Sequence, residues 1–213
     1  MNEVAAGVTD ILLGGVLVGC ASRLQASETV HRFWALMYWT AGAGAFAGVL
    51  HHLVFNESKR TSDLSWVVVG VLVAVAISYL LAASAFELVD PRLARLFVGL
   101  RIGGLLAYVV VITTTGVGRT VPLVLSESVT MTSIVALWLY GIHIGHPRAR
   151  AILVALGVCA LSALAVIVPY SGPDPRWVQH VAQIPGVLLL CRALLVPAPV
   201  RPEGCPASHH VRG

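Results

Sequence analysis

The sequence predicts an all-α, polytopic membrane protein, a bundle of seven transmembrane helices. Three observations predict it. Of the 213 residues, 57% are hydrophobic and 11% charged, whereas soluble domains carry roughly 25% charged residues. The mean hydropathy is +0.85. The apolar residues also gather into seven stretches, each near the length of about 20 residues with which a helix crosses the hydrocarbon core while satisfying its own backbone.

The stretches run over 4–23, 34–55, 64–87, 94–115, 120–141, 149–169 and 177–197. The first carries Asp10 in "VTDILL". Its "LVGC" at Leu17 to Cys20 has the shape of a lipoprotein cleavage box, but Glu3 and Asp10 precede it with no Lys or Arg. A signal peptide opens on basic residues, so the stretch reads as a retained helix. The second ends in "AGAGAFAGVLHH", where Gly44, Gly48 and His52 recur every four residues. Small residues at that spacing admit a neighbouring helix, which turns His52 inward. The third opens on Ser62 and Asp63, a good helix cap. The fourth holds Arg101, read as snorkelling toward its own end of the helix.

The fifth stretch has a polar ladder of Ser126, Glu127, Thr130 and Ser133. The sixth is plainly apolar. The seventh carries His180 and Gln183 in its first turns, followed by Pro185 and Gly186, which predict a kink. The connections are short, so each helix is expected to lie against its sequence neighbour in one domain, 1–197. Residues 198–213 are Pro-rich and polar and read as a disordered tail.

Of the 14 Lys and Arg, four lie on the side of the N-terminus and ten on the other side or at the inner helix ends. The positive-inside rule then puts the N-terminus outside and the C-terminus in the cytoplasm. The Ala, Val, Gly and Arg bias looks bacterial, so the expected location is the inner (cytoplasmic) membrane, and "NES" at Asn56 carries little weight as a glycosylation acceptor. The net charge of +4 follows from the same asymmetry and implies no nucleic-acid partner. Cys20, Cys159, Cys191 and Cys205 show no pairing or metal-ligand spacing, and three of them read as small apolar helix residues.

Ionisable residues inside a membrane helix are costly and point to function or a buried partner. Asp10, His51 and His52, Asp63, Glu127, and His180 with Gln183 come from five different helices and fall in one leaflet, the carboxylates of Asp10 and Glu127 about 9–10 Å below the boundary at 1.5 Å per residue. Imidazoles and carboxylates gathered at one depth are what a catalytic zinc requires. On that reading His52 and His180 are ligands, Asp63, Asp10 or Glu127 supplies the third ligand or the base, and His51 and Gln183 help bind the cofactor. Blander readings stand beside it: interfacial histidines, Asp63 as a cap, and Asp10 and Glu127 as interhelical glue.

A histidine closing helix 2 (His52), an aspartate after ten intervening residues (Asp63) and a histidine early in helix 7 (His180) resemble the alkaline ceramidase, adiponectin receptor and Per1 superfamily of membrane hydrolases. The resemblance extends over the whole bundle and rests on about four positions. It implies a zinc-dependent hydrolase of lipid amides or esters. Two positions depart from the pattern: Gly48 stands where the family has a serine, and Ile184 where it has a second helix 7 histidine. "VTDILL" and the helix 7 "HVAQ" also look like an uncharacterised family of bacterial seven-helix proteins. The alternatives are a subunit with haem or chlorin ligated by His51 or His52 and His180, and a non-catalytic bundle that binds membrane lipids or assembles with other membrane subunits.

Overall fold

The computed structural model describes residues 2–27, 32–55, 58–115, 120–167 and 175–196. Among these there are seven helices and no strand: α1 (Asn2–Gln25), α2 (Arg32–Leu53), α3 (Lys59–Leu88), α4 (Pro91–Thr115), α5 (Thr120–His143), α6 (Ala149–Ile167) and α7 (Pro175–Leu195). Among the described residues five, α1 to α4 and α7, are long and apolar enough to cross a membrane, and Ala149–Ser162 of α6 forms a shorter apolar helix. The exterior matches, with Leu100 68% and Leu106 63% exposed on α4. Large apolar side chains presented outward in such numbers suit lipid rather than water, and the chain is a membrane protein. The expected tail and Asn56 lie outside the described residues.

The largest departure from the expected boundaries is at α3. Lys59 begins this helix and Ser58 caps it, its hydroxyl accepting from the Thr61 amide at 3.2 Å. Most of the anticipated loop is therefore helical. Asp63 sits a turn inside α3 and is not its cap, because Ser58 already supplies the oxygen that the first free amides need.

The packing order also differs from a simple up-and-down sequence. α1 packs on α2 and α7, α2 on α3, α3 on α5, α5 on α6 and α6 on α7, which closes a ring of six helices. α4 lies outside this ring against α3 and barely touches α5, although the two are sequence neighbours. The reason is visible in its sequence. Ala94, Arg101 and Tyr108 are buried and recur every seven residues, a narrow stripe that one neighbouring helix can cover.

The two ends of the bundle differ in character. The apolar core collects at the end where α1, α3, α5 and α7 finish and α2 and α6 begin: Leu17 and Leu24, Trp34 and Tyr38, Leu81 and Leu88, Ile134 and Trp138, Ile152 and Leu156, Leu190 and Leu194. Its two buried indoles are satisfied, Trp34 donating to Glu87 Oε2 at 3.0 Å and Trp138 to Ser84 Oγ at 2.9 Å. Glu87 also receives Arg148 at 3.3 Å and faces His146 at 3.5 Å, while Arg148 donates to the Val196 carbonyl at 3.0 Å. This knot fastens α3, the α5–α6 connection and the end of α7. The opposite end, where the N-terminus lies, holds Asp10, His51 and His52.

Candidate functional site

Glu3 and Asp10 are seven residues apart on α1, which turns them to within about 20° of the same direction. That stripe faces the last turn of α2 and the second turn of α7. Asp10 is 4% exposed and is contacted from both sides. His180 Nδ1 lies 2.9 Å from Asp10 Oδ1, and His52 Nε2 lies 3.8 Å from Asp10 Oδ2. His52 Nδ1 in turn lies 2.5 Å from Glu3 Oε2. The result is an alternating chain, Glu3, His52, Asp10, His180, with three helices contributing to it.

With Asp10 as a carboxylate, its contact sets the tautomer of His180. An ionised carboxylate can only accept, so the ring must present a proton on Nδ1 to Asp10, which leaves the Nε2 lone pair bare in the neutral form. The neighbouring Thr9 hydroxyl donates to the Ala6 carbonyl at 2.9 Å and lies 3.4 Å from His180 Nδ1 as a further acceptor. Among the described residues, the polar contacts of His180 Nδ1 both come from α1, and they aim the ring.

Gly48 makes room for this arrangement. A Cβ added there would lie 3.1 Å from the Asp10 carboxyl carbon and 2.5 Å from its Oδ2, the latter too close for either atom to stay where it is. The glycine that departs from the ceramidase pattern therefore opens the space into which Asp10 projects from another helix.

The other sequence candidates fall elsewhere. His51 is buried on the α3 side of α2: its Nδ1 donates to Ser65 Oγ at 2.8 Å, since that hydroxyl already donates to the Ser62 carbonyl, and its ring lies 4.6 Å from Trp66. From α3, Ser65 and Trp66 contact His51, and Asp63 is partly buried near the start of that helix. Gln183 is partly buried, about a turn further along α7 than His180.

Glu127 belongs to a second, separate group. Arg101 pairs with it across the α4–α5 gap and also donates to Ser78 Oγ at 2.9 Å, Ser126 Oγ at 2.7 Å and the Ala74 carbonyl at 3.2 Å. The snorkelling expected of Arg101 does not occur. Its helix begins at Pro91, which places it about 15 Å inside, where no end is within easy reach and the nearest opposite charge is Glu127. The single polar cluster expected of five helices is thus two clusters. Glu3 is the member of the first that sequence reasoning left out, and its seven-residue spacing from Asp10 was the signal for it.

A polytopic helical membrane protein with a buried carboxylate–imidazole chain at one end of its bundle is the class that fold and geometry define. Residues 5–197 match the family of unknown function DUF6962, and the chain belongs to that family. The matched region contains Asp10, His52 and His180, and Glu3 lies just before it. No curated protein and no solved structure matches the chain.

The donor set can be tested against a metal. Among the described residues no group of three or more His, Cys, Asp or Glu is spaced to hold one. His52 Nδ1 is engaged by Glu3 and His180 Nδ1 by Asp10, while His52 Nε2 lies 3.8 Å from Asp10 Oδ2. A zinc at this site would be taken by the Nε2 atoms of His52 and His180, with Asp10 between the two rings.

Proposed function

We propose that this is a seven-span membrane protein, N-terminus outside and C-terminus cytoplasmic, whose Asp10–His180 dyad performs acid–base chemistry on a polar group presented at headgroup depth. The one observation that carries the reading is the 2.9 Å contact between His180 Nδ1 and a carboxylate that is itself 4% exposed. A buried carboxylate on Nδ1 orients an imidazole, stabilises it when it gains a proton and leaves Nε2 to work as the base. The excess of Lys and Arg on the C-terminal side supports the orientation.

Hydrolysis of a lipid amide or ester is the reaction class that suits such a dyad. His180 Nε2 removes a proton from water as the oxygen attacks the acyl carbon, and the imidazolium returns that proton to the departing amine or alkoxide. Asp10 holds the ring through both steps. His52, backed by Glu3, faces the second oxygen of Asp10 and fixes the carboxylate in turn.

The test is a hydrolysis screen on detergent-purified protein, with ceramides, N-acyl amines and glycerophospholipids as substrates and products read by mass spectrometry. Product formed by the unaltered chain and lost at least 100-fold in both His180→Ala and Asp10→Asn would support the dyad, a factor within the range of acid–base contributions. Absence of product from every lipid, or equal product from the variants, would sink it. Elemental analysis runs in parallel: one zinc per chain, removed by His52→Ala and His180→Ala, would replace the acid–base reading with a metal centre.

A further inference from the structure

Three exposed arginines stand at the bundle end away from Asp10. Arg23 lies two residues before the end of α1, Arg192 three before the end of α7, and Arg150 one after the start of α6, so all three sit within about 5 Å of a helix end along the axis. Among the described residues none of them takes part in a hydrogen bond or an ion pair. The acids of this end are already engaged: Glu87 holds Arg148 and Trp34, and Asp90 accepts from the Arg92 amide at 2.8 Å. α7 packs against both α1 and α6, and a groove runs along each side of it. The groove toward α6, about 410 Å³, has Arg150, Val154, Leu189, Arg192 and Val196 in its walls. The groove toward α1, about 440 Å³, has Arg23, Leu188 and Leu195, and again Arg192 and Val196. Arg192 thus stands where the two grooves meet. Val154, Leu188, Leu189 and Val196 are all exposed, which makes these grooves apolar troughs under a cationic rim.

We infer that the two grooves hold an anionic phospholipid of the surrounding bilayer, its phosphate at Arg192 and its acyl chains along the flanks of α7. Charge and polarity both select that occupant. A guanidinium presents a rigid fork of donors that matches the oxygens of a phosphate, and at Arg23, Arg150 and Arg192 no carboxylate occupies the fork. Arg148 is the contrast at the same end, tied to Glu87 and the Val196 carbonyl. A zwitterionic lipid brings a cation of its own, which the arginines on either side of Arg192 repel. A free inorganic anion would engage the guanidinium groups but leave the apolar walls bare, whereas the chains of a lipid cover Val154, Leu188 and Leu189 while its headgroup meets the rim. The depth is suitable as well, since basic pockets between membrane helices take anionic headgroups where the helices end. The site lies at the other end of the bundle from Asp10 and His180 and does not depend on what they do.

The experiment titrates the full chain in detergent with phosphatidylglycerol and, separately, with phosphatidylcholine of identical chains, bound lipid being counted by native mass spectrometry. Phosphatidylglycerol should bind about tenfold more tightly, and Arg192→Gln should weaken it about fivefold, the effect of one arginine near an anionic headgroup. Arg23→Gln and Arg150→Gln should weaken it less. Arg92→Gln removes an exposed arginine of the same end that lines neither groove and should leave binding unchanged. A second measurement needs no variant: phosphatidylglycerol with a diazirine on its acyl chain, photolysed in vesicles with the unaltered chain, should label α7 around Leu188 and Leu189 together with α6 or α1. Equal binding of the two lipids, an equal loss in Arg92→Gln, or labelling confined to other helices would each overturn the site. Displacement of the lipid by inorganic phosphate would overturn it too, by showing a site for a free anion.

Discussion

Asp10 and Arg101 are both buried charged residues on membrane helices, 4% and 7% exposed, but their surroundings differ in kind. Around Arg101 every partner is fixed: a guanidinium that does not lose its proton, one carboxylate, two serine hydroxyls and a backbone carbonyl. Around Asp10 the partners are imidazoles, the side chains that exchange protons in the ordinary pH range. The first group holds α3, α4 and α5 in register. The second holds α1, α2 and α7 and keeps a nitrogen in reserve. Burial and charge are common to both groups; the capacity of the partners to change state is what sets the Asp10 group apart and makes it the candidate site.

That contrast can be broken by substitution. The largest effect on stability is expected from Arg101→Ala, which leaves Glu127 buried without its cation and removes the main tie of α4; about 3–5 kcal/mol should be lost, measured by unfolding in mixed micelles. The double variant Arg101→Met, Glu127→Leu should recover most of that loss, because a well-packed apolar pair avoids the stranded charge. Equal instability of single and double variants would show that the pair does more than hold the helices.

Gly48→Ala comes next. Its methyl would overlap Asp10 Oδ2, and overpacking of this kind costs about 1–3 kcal/mol. Combined with Asp10→Ala the penalty should shrink, and a purely additive double variant would show that Gly48 serves some other contact. Asp10→Asn should cost only about 1–2 kcal/mol of stability, yet it should change the tautomer of His180, read from its ¹⁵N imidazole shifts. An unaltered His180 spectrum would mean the dyad is not formed in the protein. The smallest effect belongs to Ser65→Ala, which removes one hydrogen bond from His51 at about 1 kcal/mol and should leave His180 untouched.

Much of this fold was legible from hydropathy alone, because length and apolarity are what the bilayer demands and short connections leave little freedom. Helix ends moved by a few residues, and those small shifts decided the larger errors. Ser58 rather than Ser62 caps α3, which carries Asp63 into the helix. Pro91 rather than residue 94 starts α4, which puts Arg101 near mid-depth and in reach of Glu127. Asp10, His52 and His180 were picked out as candidates, since ionisable residues stand out against a greasy background, and the structure brings the three side chains together. What depth could not reveal was azimuth. Glu127 lies about as far along its helix from the first residue as Asp10 does along α1, but it faces another set of helices. The placement of α4 outside the ring had a sequence signal in the seven-residue recurrence of Ala94, Arg101 and Tyr108.

The space at Gly48 couples two helices. Because a side chain at 48 and the carboxylate of Asp10 claim the same volume, the room left by one glycine on α2 sets how far the acid of α1 reaches between its neighbours. The carboxylate is positioned as much by what α2 lacks as by what α1 carries.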